Sequence, residues 1–230
     1  MRLTMADYVA GDASIAVPRL VVAQAAGGAL GFAGEAMLSG ALPGGRADKL
    51  ALPIEGNWSP RAGLSLWRKC ADLRFDRLQF ASLALDRRVL TLCPGPGGAI
   101  VRQDAHGLRV AAGAPALLVT GRLGQTPIRI ASGPIGFAVP GNLAARSLDV
   151  ALGPEATASR FRIGNLAARI GKDVAGRFEG SDILLAAVPL DLLGASGAWR
   201  YADGALTLTG GEFRLQDREL VDRFQPLVSR

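Results

Sequence analysis

The chain has 230 residues, 49% of them hydrophobic but only 6% aromatic, with 30 glycines and 13 prolines. That length suffices for a sizeable core in one β-domain or two small ones, and the apolar content excludes an intrinsically disordered chain. The net charge of +6 rests almost wholly on arginine, with lysine only at 49, 69 and 172; scattered arginines without interleaved aromatics argue against nucleic acid and for solvated strand faces.

The N-terminal Met1–Asp7 lacks the apolar core of a signal peptide. No run reaches the roughly 18 apolar residues of a spanning helix; Val21–Ala33 comes nearest but carries Gln24 and is rich in glycine. The reading is either a cytosolic protein or a piece of a longer, exported one.

In chain order, Leu3–Val9 and Ser14–Val22 read as strands around Gly11-Asp12, and Ala29–Leu38 follows the break at Gly27-Gly28. A turn is expected at Leu42-Pro43-Gly44-Gly45, then a short strand at Lys49–Ile54, while Trp58 to Lys69 fits a short helix or strand residues. From Leu73 to Leu85 the apolar residues alternate with phase shifts at Asp76-Arg77 and Ala81-Ser82, the signature of bulges or turns. Val89–Cys93 ends at Pro94-Gly95-Pro96-Gly97-Gly98; Ile100–Arg102 and Leu108–Ala112 flank a turn at Asp104–Gly107. Leu117, Val119 and Leu123 share one face, as do Ile128 and Ile130 after the turn at Gly124-Gln125.

The hexapeptide Gly-Asn-Leu-Ala-Ala-Arg then occurs twice, at Gly141–Arg146 and Gly164–Arg169, 23 residues apart. Such an interval holds about two ordinary strands with their turns, so the repeat reads as a β-meander whose unit echoes once. Val174–Phe178 and Asp182–Ala187 continue it, Val188–Gly194 reads as a loop or one helical turn, and Ala198–Tyr201 with Leu206–Thr209 makes a hairpin about Asp203-Gly204. Glu212–Gln216 is the last clear strand, and Asp217–Arg230, cut by Pro226, is weakly helical or extended.

Catalytic groupings are not recognisable. The single histidine, His106, sits in a turn with no cysteine beside it, so no metal site of the usual kinds assembles from spacing. The run Gly95-Pro96-Gly97-Gly98 is followed by neither Lys-Ser/Thr nor a helix, unlike a phosphate loop. The expectation is a protein that is not an enzyme and takes no cofactor and no metal. The two cysteines, Cys70 and Cys93, fit either a disulfide or two buried thiols.

The pattern amounts to about 16 to 18 strands at spacings near those of all-β folds. Without crossover helices the sheet is antiparallel or coiled β, and a twisted sheet of this length must close, fold into a sandwich or coil into a trough. Strand parity puts Leu117, Val119, Leu123, Ile128, Ile130, Phe161, Ile163, Leu166, Ile170, Leu206 and Leu208 on the apolar side, and Arg122, Arg129, Arg160, Arg162 and Arg169 on the other.

At Leu64–Cys70 (LSLWRKC), Leu90–Pro94 (LTLCP), Gly121–Gly124 (GRLG), Val188–Gly194 (VPLDLLG) and Gly197–Tyr201 (GAWRY), the chain resembles the YdbH-like proteins of the AsmA-like group of proteobacterial envelope proteins. The resemblance runs from about Gly28 to Arg230. It implies one extended, twisted, mostly antiparallel sheet curled into a groove, with little helix. It also implies a single continuous segment over residues 1–230, with a possible sub-boundary near 56–70. The implied function is a segment of a periplasmic, bridge-like protein that conducts phospholipid between inner and outer membranes along a hydrophobic groove. Its inner-membrane anchor and most of its length would lie outside this chain.

The implied partners are phospholipid acyl chains, flanking segments of the parent protein and an outer-membrane lipoprotein; the parity residues above become the groove lining, and Cys70 and Cys93 become a disulfide. The alternative is a structural or adhesive β-solenoid or β-sandwich with a dry core. The two readings differ in the interior: interlocked side chains for the dry module, an open aliphatic concavity for the groove.

Overall fold

Alternating polar and apolar residues produce strands, and glycine or aspartate at the breaks produces the turns that reverse them. The structure, a computed structural model, describes residues 1–42, 44–96, 98–171, 173–218 and 227–229. Pro43, Gly97 and Pro226, which belong to two expected turns and the expected C-terminal segment, lie outside the described residues. Regular structure among the described residues is all strand apart from one 3-10 turn at Glu155–Thr157, and no helix there is long and apolar enough to cross a membrane. The all-β, antiparallel expectation therefore holds. The chain divides into two units, Met1–Ala114 and Pro115–Arg230.

The first unit contains β1 (Arg2–Ala10), β2 (Ala13–Gln24), β3 (Leu30–Leu42), β4 (Gly45–Ser59), β5 (Gly63–Leu66), β6 (Ala71–Phe80), β7 (Leu83–Leu92), β8 (Val101–Asp104) and β9 (Gly107–Ala114). β1 to β4 form a meander of successive antiparallel pairs. β4 is long enough to serve two partners: Gly45–Ala51 pairs with β6, and Gly56–Ser59 with β5. β7 then follows β6, while β8 and β9 follow β5. One expectation changes here, and one open reading resolves to strand. The short strand at Lys49–Ile54 is the middle of the 15-residue β4, which β3 holds from Gly45 to Trp58 while β6 and then β5 pair with parts of its other edge. The ambiguous Trp58–Lys69 holds the four-residue strand β5 and no helix.

Of the two phase shifts, the one at Ala81-Ser82 is the turn between β6 and β7, with Ala81 at φ 49°. The other lies inside β6, beside Lys49 of β4, which itself has φ 49°. A positive φ within a strand turns the pleat over, so Ala47 and Leu50 of β4, three residues apart, are both buried; opposite them Phe75 and Leu78 of β6 are spaced and buried alike. With Ala47 and Leu50 they make the core of this unit, and Leu38, Leu52, Leu73 and Leu90 pack against it.

The second unit contains β10 (Leu117–Leu123), β11 (Thr126–Ser132), β12 (Ile135–Val139), β13 (Gly141–Leu152), β14 (Ser159–Ile170), β15 (Val174–Leu184), β16 (Leu190–Ala202), β17 (Ala205–Asp217) and β18 (Leu227–Ser229). Here β13 takes the role of β4: its start pairs with β12 and its end with β11. From β13 to β18 each strand pairs with the next.

The expected loop or helical turn at Val188–Gly194 is mostly strand, because β16 begins at Leu190. Asp191 and Leu192 pair with β15 and β17, and Gly194, at φ 61°, absorbs the irregularity. Arg218 fastens the turn before it, donating hydrogen bonds to the Leu185 and Val188 carbonyls and forming a 3.0 Å ion pair with the nearly buried Asp191. Leu206–Thr209 and Glu212–Gln216 are one strand, β17, bent at Gly210 with φ 60°.

Candidate functional site

The register of the second unit aligns apolar residues across strands. Val119 of β10 faces Ile130 of β11, which faces Val150 of β13. Val150 faces Phe161, Phe161 faces Ile183, Ile183 faces Leu192, and Leu192 faces Leu215 of β17. Directly opposed residues project to the same side of a sheet, so this is one apolar row across seven strands. At about 4.8 Å per strand its six intervals span roughly 29 Å, against about 15 Å for one leaflet of a bilayer's hydrocarbon.

A second feature keeps the face apolar where simple alternation would break it. Ala145 and Leu148 face Leu166 and Ile163 respectively, and these face Phe178 and Ser181. In each strand the two residues are three apart, so the pleat turns over at one level of the sheet. Ser147 (φ 50°) on β13 and Gly180 (φ 60°) on β15 supply the left-handed conformations this requires.

Across this level lies an open concavity of about 370 Å³, lined by Phe161, Ile163, Leu166, Phe178, Ser181, Ile183, Trp199, Leu206 and Leu208. Phe161, Ile163, Leu166, Leu206 and Leu208 of the expected residues are thus brought together. Leu206 and Leu208 are each 62% exposed; they stand on its wall without a protein neighbour covering them. Ile170 lies one row further along the same face, opposite Val174, and that row continues through Tyr201 to Leu206. Val119 is buried, and Ile130 and Ile128 are half-buried; Leu117 faces Ser132, and Leu123, opposite Thr126, is exposed beside the β10–β11 turn.

Sequence parity did not find Phe178, Ser181, Ile183 or Trp199. The alternation of Ala198-Trp199-Arg200-Tyr201 was a usable signal for Trp199, but the shifted pleat at Gly180 hid the phase of β15.

The opposite face is polar. Arg122, Arg129, Arg162 and Arg169 are exposed and Arg160 is half-exposed. Arg162 stands between Asp149 and Asp182 on the neighbouring strands. In the first unit Lys49, Arg74, Arg87 and Arg88 line a separate open hollow with Asp76. Arg87 Nε lies 2.7 Å and Lys49 Nζ 3.3 Å from the Asp76 carboxylate, and the Arg87 hydrogen bond above all holds that carboxyl below the usual range. His106 is exposed in its turn, where its backbone N–H donates to Asp104 Oδ1 at 2.8 Å.

Cys70 and Cys93 are joined in a disulfide, with 3.9 Å between their Cα atoms. Ala71 faces Leu92 at the open end of the β6–β7 hairpin, so the cysteines occupy the next pair outward. Cys93 and Gly113 also exchange both backbone hydrogen bonds.

A family model described as "YdbH-like: Intermembrane phospholipid transport protein YdbH" matches residues 9–230. The chain belongs to the YdbH-like family. The match begins at Val9, upstream of the Gly28 from which the resemblance was legible, and takes in both units. No curated protein and no solved structure matches the chain. YdbH-like membership places this apolar face in a family of lipid-transport proteins whose transport runs between membranes.

Proposed function

We propose that the apolar face of the second unit carries phospholipid acyl chains, as one segment of a periplasmic, bridge-like protein that conducts phospholipid between inner and outer membranes. The observation that carries this reading is an apolar face left open. Among the described residues of this unit the buried apolar side chains are Val119, Ala145, Ala168 and Ala195, whereas a dry sandwich core interlocks large side chains from two layers. Moving acyl chains through water exposes them at about 0.8 kcal/mol per CH₂, on the order of 25 kcal/mol for two sixteen-carbon chains. An aliphatic wall removes most of that barrier and needs no reactive group. The Cys70–Cys93 disulfide suits an oxidising compartment such as the periplasm. Flanking segments of a longer parent, which would hold it at the inner membrane, and an outer-membrane lipoprotein are the partners this reading names.

A lipid path is continuous, so one charge within it acts as a dam. Val119→Asp, Ile130→Asp and Ile163→Asp in the parent protein should block transport, and Arg129→Asp should not. Arg129 lies opposite Thr120 and Ala151 and so disturbs no charge pairing. Arg162 makes a poorer control, since aspartate there would join Asp149 and Asp182 in a row of three acids. Photo-crosslinkers at Ile130 and Ile163 should capture phospholipid in cells while those at Arg129 and Arg169 do not. Equal capture from both faces would overturn the proposal.

A further inference from the structure

The first unit carries an apolar row of its own. Tyr8 faces Ile15, Ile15 faces Leu38, and Leu38 faces Leu50. Leu50 packs with the buried Phe75 of β6, and Phe75 faces Arg88 of β7. At about 4.8 Å per strand the five intervals of this row span roughly 24 Å, and the row ends on a guanidinium.

That charge breaks a pattern. On the side of β6 and β7 that carries Phe75, Ala71 faces Leu92, Leu73 faces Leu90, Leu78 faces Leu85 and Phe80 faces Leu83. Phe75 with Arg88 is the one pair of this series that has a charged member, and it stands in the middle. Phe75 is 2% exposed, Leu73, Leu85 and Leu90 are half-buried, and Arg88 is exposed. An arginine stem lies along apolar surface while its head stays in water, so Arg88 sets a charge at the border of an aliphatic face. Among the described residues it forms no ion pair and no side-chain hydrogen bond. It borders the open hollow shared by Lys49, Arg74, Asp76 and Arg87. The one carboxylate there is already held by Lys49 and Arg87, so the hollow keeps a positive potential that favours an anion.

We infer that Arg88 seats the phosphodiester of a phospholipid whose acyl chains lie over the half-buried leucines beside Phe75. A guanidinium presents its N–H donors in a planar fork that matches two phosphate oxygens. The leucines on either side of Arg88 on the same face supply the surface that the chains need. The inference rests on the lipid-carrying reading, extends it to the first unit, and adds a fixed point for the headgroup that a uniform aliphatic wall lacks.

The test exposes the 230-residue chain to short-chain phosphatidylglycerol with a photoreactive diazirine in one acyl chain, or to the diacylglycerol with the same chains and no phosphate. Crosslinks are mapped by mass spectrometry to β6–β7 and to β14–β17. In Arg88→Gln the phosphatidylglycerol concentration that half-saturates capture on β6–β7 should rise by about 5-fold, the upper range of an exposed ion pair. Capture of diacylglycerol there, and of both lipids on β14–β17, should not change. Arg88→Lys should fall between the two. Without lipid, Arg88→Gln should melt with the parent chain, because the side chain has no protein partner to lose. Unchanged capture of phosphatidylglycerol on β6–β7 in Arg88→Gln, or capture confined to β14–β17 in the parent chain, would overturn the seat and leave the lipid-carrying reading standing. Equal loss of both lipids on β6–β7, a marked fall in the melting temperature, or displacement of phosphatidylglycerol by an equal concentration of free glycerol phosphate would also sink the seat. Capture of neither lipid on either unit would overturn both readings.

Discussion

Ala144 of β13 lies directly opposite Ala167 of β14, and each is the fourth residue of one copy of Gly-Asn-Leu-Ala-Ala-Arg. The two copies are therefore strand partners, paired about a local two-fold axis. The leucine of each copy meets the second alanine of the other, Leu143 against Ala168 and Ala145 against Leu166, and Asn142 meets Arg169 as Arg146 meets Asn165. The hexapeptide is complementary to its own antiparallel copy, large against small on the apolar face.

That complementarity fixes the outcome of swapping sizes. Ala145 is 3% exposed, so Ala145→Leu should overpack against Leu166 and destabilise by about 1–3 kcal/mol. Combining it with Leu166→Ala exchanges the two members of the pair and should recover most of that loss, within about 1 kcal/mol of the parent. Urea denaturation of the singles and the double checks this. Simple additivity of the two losses would show that the pair is not complementary.

Reducing the Cys70–Cys93 bond releases a loop closed over a sequence separation of 23 residues. Stability should fall by about 3 kcal/mol. Thermal melts with and without reductant measure it, and thiol labelling of the denatured chain should find neither cysteine free until reductant is added.

Three carboxyls of the first unit are held below their ordinary value of 3.8: Asp12 by its hydrogen bond and ion pair with Arg46, Asp76 chiefly by Arg87, and Asp104 chiefly by the His106 backbone N–H. Because the folded values are the lower ones, their stabilising effect is complete above pH 3.8 and fades as pH falls below it. Acid titration should therefore show a gradual loss of stability beginning near pH 4, a modest one because Asp12 is exposed and Asp76 and Asp104 are only half-buried. Asp76→Asn should flatten that slope; a slope identical to the parent's would rule out the assignment.

Arg162 faces Asp149 and Asp182, whereas Arg129 faces Thr120 and Ala151. Cross-strand pairs of opposite charge contribute roughly 0.2–1 kcal/mol each. Arg162→Ala should thus destabilise by about 1 kcal/mol at low salt and Arg129→Ala by much less. In about 1 M salt, where screening acts over roughly 3 Å, the difference should vanish.

Composition and periodicity by themselves determined the all-β class, and short motifs such as Leu64–Cys70 carried the resemblance to the family, because strand parity and such motifs are properties of contiguous residues. Hairpins with a glycine at the turn, such as Asp203-Gly204, were legible for the same reason. What only the tertiary structure decided depends on which strand lies beside which. β4 runs past its expected end at Ile54 because β3 pairs with it from Gly45 to Trp58, and Gly56 is held between Phe32 and Leu66. The hexapeptide copies read as successive units of a meander and proved to be each other's partners. Ser181 could not be assigned to the apolar face at all: its side is set by the left-handed Gly180 and a register shift against β16, and parity counted along one strand cannot cross a bulge it does not know is there.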